Sequence, residues 1–159
     1  MKFKILLVIP ARYGSTRLPG KPLKKIGKKT MIQLVYERAK KMNCSKTIIA
    51  TDDKRILNHC LSNKMNCIMT KKSHITGSDR VSEVSKKYNL PWVLNLQGDE
   101  PLININDVKN LIKKTLNLYK KNKNFSVATL YFKKKEKGKL NPNEARLLIN
   151  KKNEAIIFT

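Results

Sequence analysis

Lys4-Ile-Leu-Leu-Val-Ile9, followed at once by Pro10-Ala-Arg-Tyr-Gly-Ser-Thr-Arg-Leu-Pro-Gly-Lys-Pro22, decides how the chain folds. Five consecutive apolar residues, Ile5 to Ile9, suit a strand covered on both faces. The segment that follows holds two glycines, three prolines, two arginines and a lysine, and it cannot prolong the strand. A short apolar run ending in such a loop is how a parallel sheet presents a binding loop. The run is too short for a signal-peptide core and no small-residue cleavage site follows it, so it reads as the first strand of a cytoplasmic protein.

Outward from this stretch the alternation repeats. Periodicity predicts helices over 30–42 (with Thr30 as cap and Met31, Leu34, Val35 and Arg38/Ala39 on one face), 53–62 (capped by Asp52 or Asp53), 78–88 and 105–121. Strands are expected over 47–51, 67–70 and 92–96, the last covered on both faces. Further strands are expected over 126–132, 146–150 and 155–158, with a turn at Asn141-Pro-Asn143. Repeated strand–helix units imply an α/β fold: a doubly wound, mostly parallel sheet with right-handed crossovers. Ligands of such sheets bind outside the carboxyl ends of the strands. The loops after Ile9, Thr51, Thr70 and Leu96 should therefore converge.

A length of 159 residues fits one domain, taken here as 1–159. The formal charge of +24 first suggests nucleic acid. Only six of the 35 basic residues are arginine, the better reader of phosphates and bases, and the lysines are dispersed. Asparagine and isoleucine are enriched beside lysine, and all three have AT-rich codons. The charge is read as mutational bias, with no specific nucleic-acid partner. No segment is apolar enough to span a membrane. Cys44, Cys60 and Cys67 show no C-x-x-C spacing, and with only His59 and His74 they suggest reduced thiols rather than a zinc site.

Three loops carry chemistry. The first, 10–22, brings glycine N–H groups and cations to an anion. It is not a P-loop: five residues separate Gly14 from Gly20, and Pro22 stands where a magnesium-binding Ser or Thr would be. The second, Leu96-Gln-Gly-Asp-Glu-Pro101, places Asp99 after a core strand, where one carboxylate suits Mg²⁺ completed by substrate phosphates. A tight turn with helix-capping acids is the other reading of Asp99-Glu100. The third, His74-Ile-Thr-Gly-Ser-Asp-Arg80, opens a helix, and Ser78 and Arg80 offer donors to a base or ribose. Asp79 reads equally as an ordinary capping residue.

In order, Pro-Ala-Arg-Tyr-Gly-Ser-Thr-Arg-Leu-Pro-Gly-Lys-Pro-Leu (10–23), Ala-Thr-Asp (50–52), His-Ile-Thr-Gly-Ser-Asp-Arg (74–80), Asn-Leu-Gln-Gly-Asp-Glu-Pro (95–101) and Asn-Pro-Asn (141–143) resemble the 3-deoxy-manno-octulosonate (KDO) cytidylyltransferases, or CMP-KDO synthetases. The Ser-Thr-Arg-Leu-Pro-Gly-Lys run separates them from sialic acid and sugar-1-phosphate nucleotidyltransferases. The resemblance implies attack of the KDO anomeric hydroxyl on the α-phosphorus of CTP, releasing pyrophosphate. It implies that Arg12, Lys21 and Asp99 are catalytic. Arg12 and Lys21 would hold the triphosphate, with Ala11, Ser15 and Arg17 in support. Asp99 would ligate Mg²⁺. Gln97 and Gly98 would lie near the sugar or ribose, and Ser78 and Arg80 would help read cytosine.

Members of that family are homodimers longer than this chain. The resemblance places much of the KDO pocket, most of the dimer interface, an arginine and a second metal-binding aspartate beyond Thr159. The domain is accordingly expected to be incomplete at its C-terminal end, binding CTP–Mg²⁺ weakly and turning over KDO poorly or not at all. Rival readings are a related CMP-sugar synthetase acting on 8-amino-KDO or a sialic acid, and a non-catalytic remnant with non-specific RNA affinity.

Overall fold

The computed structural model describes residues 3–14, 18–121, 125–131, 146–152 and 154–158. Two compact units divide the chain, 1–109 and 110–159.

The first unit is built on a parallel sheet. Its strands are β1 (Phe3–Ala11), β4 (Cys44–Thr51), β5 (Cys67–Met69) and β6 (Trp92–Asn95), in the order β5-β4-β1-β6. Between β1 and β4 come a 3-10 turn at Lys21–Leu23, the two-residue strands β2 (Lys25–Ile26) and β3 (Lys29–Thr30), and helix α1 (Met31–Lys40). Helix α2 (Lys54–Ser62) joins β4 to β5, and α3 (Gly77–Ser85) joins β5 to β6. Helix α4 (Ile105–Lys121) follows β6, and its residues fall in both units.

The core follows from strand pleat. Leu6, Val8, Ile48 and Ala50 share one face of the sheet with Val81 and Val84 of α3. Alternate residues Leu7, Ile9 and Ile49, also fully buried, point to the other face. There α1 and α2 pack on β1 and β4, burying Ile32, Val35, Ile56 and Cys60. The chain thus moves outward from β1 through β4 to β5 along one face, then returns across the other to lay β6 beside β1. The strand order reverses between β1 and β6, and such a switch point is where open α/β sheets bind ligands.

The expected fold class holds, with corrections in detail. The buried stripe of α1 is Ile32, Val35, Tyr36 and Ala39, while Met31 and Leu34 are only half-buried. The helix is rotated by one position because the sheet, not local periodicity, fixes its phase. Thr76 caps α3 one turn position earlier than the sequence suggested, and the helix stops at Ser85. Strand β6 is not covered on both faces: it pairs with β1 alone among the described residues, and Val93 is 43% exposed. The segment 126–131 is not a strand. Its β-branched residues carry the propensity, but a strand exists only where a neighbour takes its hydrogen bonds, and Val127 is 80% exposed. The turn expected at 141–143 lies outside the described residues.

In the second unit, β7 (Leu147–Ile149) and β8 (Ala155–Phe158) pair antiparallel. Its turn is tied by Asn150, whose side-chain oxygen accepts the Lys152 and Glu154 amides. Among the described residues no helix is long and apolar enough to cross a membrane. Cys44, Cys60 and Cys67 are free thiols.

Candidate active site

Three loops meet around Pro10, at the carboxyl end of β1. Gly98, after β6, approaches it so closely that an added Cβ would lie 2.7 Å from the Pro10 carbonyl oxygen. Gly77, the first residue of α3, lies against the other side, where a Cβ would meet the Pro10 ring at 3.3 Å. Glycine is required at 98 for close approach rather than for an unusual backbone angle. The pinch sets two cavities side by side, sharing Pro10, Ala11, Arg12 and Gln97.

The first cavity, about 530 Å³, is completed by Lys21, Pro22, Met31, Gly98 and Asp99. Lys21 sits at the start of the 3-10 turn, after Gly20 has turned the chain with φ of +68°. Its ammonium donates to Asp99 Oδ2 at 2.6 Å, across 78 residues of sequence. Both side chains are substantially exposed, so the pair adds little to stability. Arg12 is exposed at the shared boundary. Sequence reasoning brought Arg12, Lys21 and Asp99 together, and all three line this cavity.

The second cavity, about 370 Å³, is closed by His74, Ile75, Thr76, Gly77 and Arg80. Arg80 is only 3% exposed. Its Nη2 donates to Asp52 Oδ2 at 2.7 Å and its Nη1 to Thr70 Oγ1. Thr70 in turn donates from Oγ1 to the Thr51 carbonyl at 3.0 Å. One guanidinium thus ties the ends of β4 and β5 to α3. A buried charge persists only when paired and hydrogen-bonded in this manner. The start of α3 is fixed by a reciprocal cap: Asp79 N–H donates to Thr76 Oγ1 at 3.2 Å, and Thr76 N–H donates to Asp79 Oδ2 at 2.9 Å. The cap decides the role of Asp79. The hydrogen bonds from Thr76 lower its pKa. The loop 71–76 is held to α3 by Glu83, which accepts the Lys71 amide at 3.0 Å and lies 2.5 Å from His74 Nε2. Those two contacts, the amide first, lower the pKa of Glu83.

Of the other sequence-derived candidates, Ala11 and Gln97 line both cavities and Gly98 lines the first. Ser78 is exposed on the first turn of α3 and lines neither. Ser15 and Arg17 lie outside the described residues. The partners of Arg80 were missed. Asp52 carried a usable signal, an acid just past a core strand as Asp99 also follows one, but apart from its place in the Ala-Thr-Asp motif the sequence reading gives it only a helix-capping role. Asp53 takes the capping role, accepting the Arg55 amide at 2.9 Å.

The donor set bears on a metal. Among the described residues no three His, Cys, Asp or Glu side chains gather as a ready-made cage. Asp99 instead offers one accessible carboxylate that already holds a cationic group at 2.6 Å. This suits a magnesium ion that keeps water or substrate oxygens in its remaining positions.

Comparison with known proteins places the chain in a family. A cytidylyltransferase family model matches residues 6–159. The chain is 44% identical over 158 residues to a 3-deoxy-manno-octulosonate cytidylyltransferase of Fusobacterium nucleatum, covering 98% of this chain and 63% of that protein. It is 43% identical over 164 residues to the enzyme of the same name from Thermodesulfovibrio yellowstonii, covering 97% and 62%. Among solved structures, a CMP:2-keto-3-deoxy-manno-octonic acid synthetase complexed with CTP superposes with a TM-score of 0.82 at 36% identity, covering 99% of this chain and 64% of that one. A cytidylyltransferase of Leptospira borgpetersenii superposes with a TM-score of 0.60 at 26% identity, covering 76% and 50%. The chain spans a little under two thirds of the length of the curated relatives it matches. On the family match and the shared fold together, this chain belongs to the cytidylyltransferase family.

Proposed function

We propose that the chain is the nucleotide-binding part of a KDO cytidylyltransferase, which joins CMP from CTP to the anomeric oxygen of KDO and releases pyrophosphate. The observation that carries this reading is the meeting of Arg12, Lys21 and Asp99 in one cavity at the switch point of the sheet. Relatives bearing the name of that enzyme, and a CTP-bound structural neighbour, support it.

In this reading the triphosphate lies in the first cavity. Arg12 and Lys21 bind its oxygens and balance the charge that builds on the leaving pyrophosphate. Ser15 and Arg17 assist from the same loop. Asp99 is the ligand for Mg²⁺, which when bound supplies Lewis-acid polarisation and charge neutralisation at the phosphates. Gln97 and Gly98, with Ala11, border the ribose or the acceptor sugar. The base enters the second cavity, where Arg80 shapes the floor and Thr76 and Gly77 at the start of α3 border it; Ser78, exposed on the next position, would reach the base only from outside the lining. The KDO hydroxyl attacks the α-phosphorus in line. The protein contributes by holding the partners in line and by neutralising charge, with no covalent intermediate. Lys21 leaves Asp99 for the phosphates when nucleotide and metal arrive, an exchange that its exposed position permits. A CTP-using enzyme of this kind works in the cytoplasm.

Titration of the chain with CTP, ATP and UTP, with and without Mg²⁺, tests the reading. CTP is expected to bind best and to gain affinity with Mg²⁺, and Asp99→Asn to lose that gain. Equal binding of all three nucleotides would count against a cytidylyltransferase. Binding that belongs to bulk RNA instead would vanish steeply with salt.

A further inference from the structure

Tyr13 lies two residues beyond the end of β1, directly after Arg12. Its carbonyl accepts the Gly20 amide at 2.8 Å, closing the loop. The phenol end of its ring packs on Gly20 so tightly that a Cβ there would lie 2.9 Å from Cζ. Gly20 also has a left-handed backbone. Position 20 is thus restricted to glycine twice, by its φ and by the ring.

The ring is itself held. The Arg55 guanidinium lies 3.3 Å from its centroid, a stacking contact that favours the cation over the ring face. Arg55 donates from Nε at 2.9 Å and from Nη2 at 2.7 Å to the two carboxylate oxygens of Asp53. Such a forked pair fixes the plane of the guanidinium as well as its place. Asp53 caps α2, so it is anchored to a regular element of the fold. A chain of contacts therefore runs from the start of α2 through Asp53, Arg55 and Tyr13 to Gly20. Arg12 precedes Tyr13 in sequence and Lys21 follows Gly20, so both cations flank this clamped pair.

We propose that Tyr13, stacked against Arg55, is a positioning residue that fixes Arg12 and Lys21 for a nucleoside triphosphate. The inference rests on the reading of the first cavity as a triphosphate site. Its contacts use the aromatic ring and the backbone carbonyl, so phenylalanine replaces tyrosine and alanine does not. Clamping acts by preorganisation: ordering of the two cations is completed on folding rather than on binding.

The test uses the full 159-residue chain, its Tyr13→Phe, Tyr13→Ala and Arg55→Ala variants, hydrogen exchange at the Gly20 amide, and titration with CTP–Mg²⁺. Tyr13→Ala is expected to lower Gly20 protection and to weaken CTP–Mg²⁺ binding by about tenfold each, by local opening and lost preorganisation. Tyr13→Phe should stay within about twofold of the parent chain on both measures, with Arg55→Ala between the two and melting temperatures little changed. Unchanged Gly20 protection in Tyr13→Ala overturns the inference. So does a Phe variant as impaired as the Ala variant, or affinity losses that merely follow the melting temperature. If the parent chain bound no CTP, the proposed function would fail separately, and Gly20 protection would still decide for or against Tyr13.

Discussion

On one side of Pro10 the charges are exposed and able to change partners; on the other they are buried and fixed. Lys21 and Asp99 pair in the first cavity with side chains 35% and 51% exposed. Arg80 in the second is enclosed, and its donors are committed to Asp52 and Thr70. Under the proposed function the difference separates two tasks. A triphosphate and its metal bring large charges that must be met by groups able to leave one another. A nucleobase is neutral and is selected by the shape of its cavity, so the surrounding charges must be held still.

The comparison breaks most visibly at the buried pair. Asp52→Asn leaves the Arg80 charge without its counter-ion, and loss of one member of a buried pair costs about 3 kcal/mol or more. Urea unfolding of the variant measures this as a lower midpoint with an unchanged slope. A variant as stable as the parent would show that Arg80 does not depend on Asp52.

Gly98→Ala attacks the boundary itself. Its Cβ meets a backbone oxygen rather than a flexible side chain, so the loop must move. Overpacking of this kind costs about 1–3 kcal/mol, and the movement displaces Asp99, so Mg²⁺-dependent nucleotide binding should weaken as well.

Asp99→Asn sharpens the contrast from the other side. The exposed pair contributes little, and stability should change by no more than about 0.5 kcal/mol, while the Mg²⁺-dependent part of nucleotide binding disappears. Comparable stability losses in Asp99→Asn and Asp52→Asn would abolish the distinction drawn between the cavities.

The smallest effect is in pH. Glu83 has a pKa below its ordinary 4.5 in the folded chain, through the Lys71 amide and His74. A depressed carboxylate contributes stability that is complete above its unfolded value and lost as pH falls through its folded value. The stability of the parent chain should therefore fall as pH drops below about 4.5. Glu83→Gln should show a shallower fall there, measured by thermal melts across that range.

Much of this was legible in the sequence, for physical reasons. Uninterrupted apolar runs at 5–9 and 92–94 identify parallel strands, and topology then brings the loops at their carboxyl ends together. That is why Arg12, Lys21 and Asp99 could be grouped before any coordinates. The environment of Arg80 was not legible. Its partners lie 28 and 10 residues away, and nothing in local composition distinguishes a buried arginine from a solvated one. The phase of α1 was missed because Met31 and Leu34 are as apolar as Ile32 and Tyr36, and only the sheet chooses between the two stripes. The 126–131 segment misled because β propensity describes a residue's fitness for a sheet, not the presence of one.

The central claim is that the loops after β1 and β6 enclose a metal-bound cytidine triphosphate. The most direct measurement replaces Mg²⁺ with paramagnetic Mn²⁺ in the presence of CTP and follows the backbone amide resonances of the chain. Selective broadening at Ala11, Arg12, Lys21, Gly98 and Asp99, abolished by Asp99→Asn, is the predicted result. Broadening centred elsewhere, or unaffected by that substitution, would contradict the account.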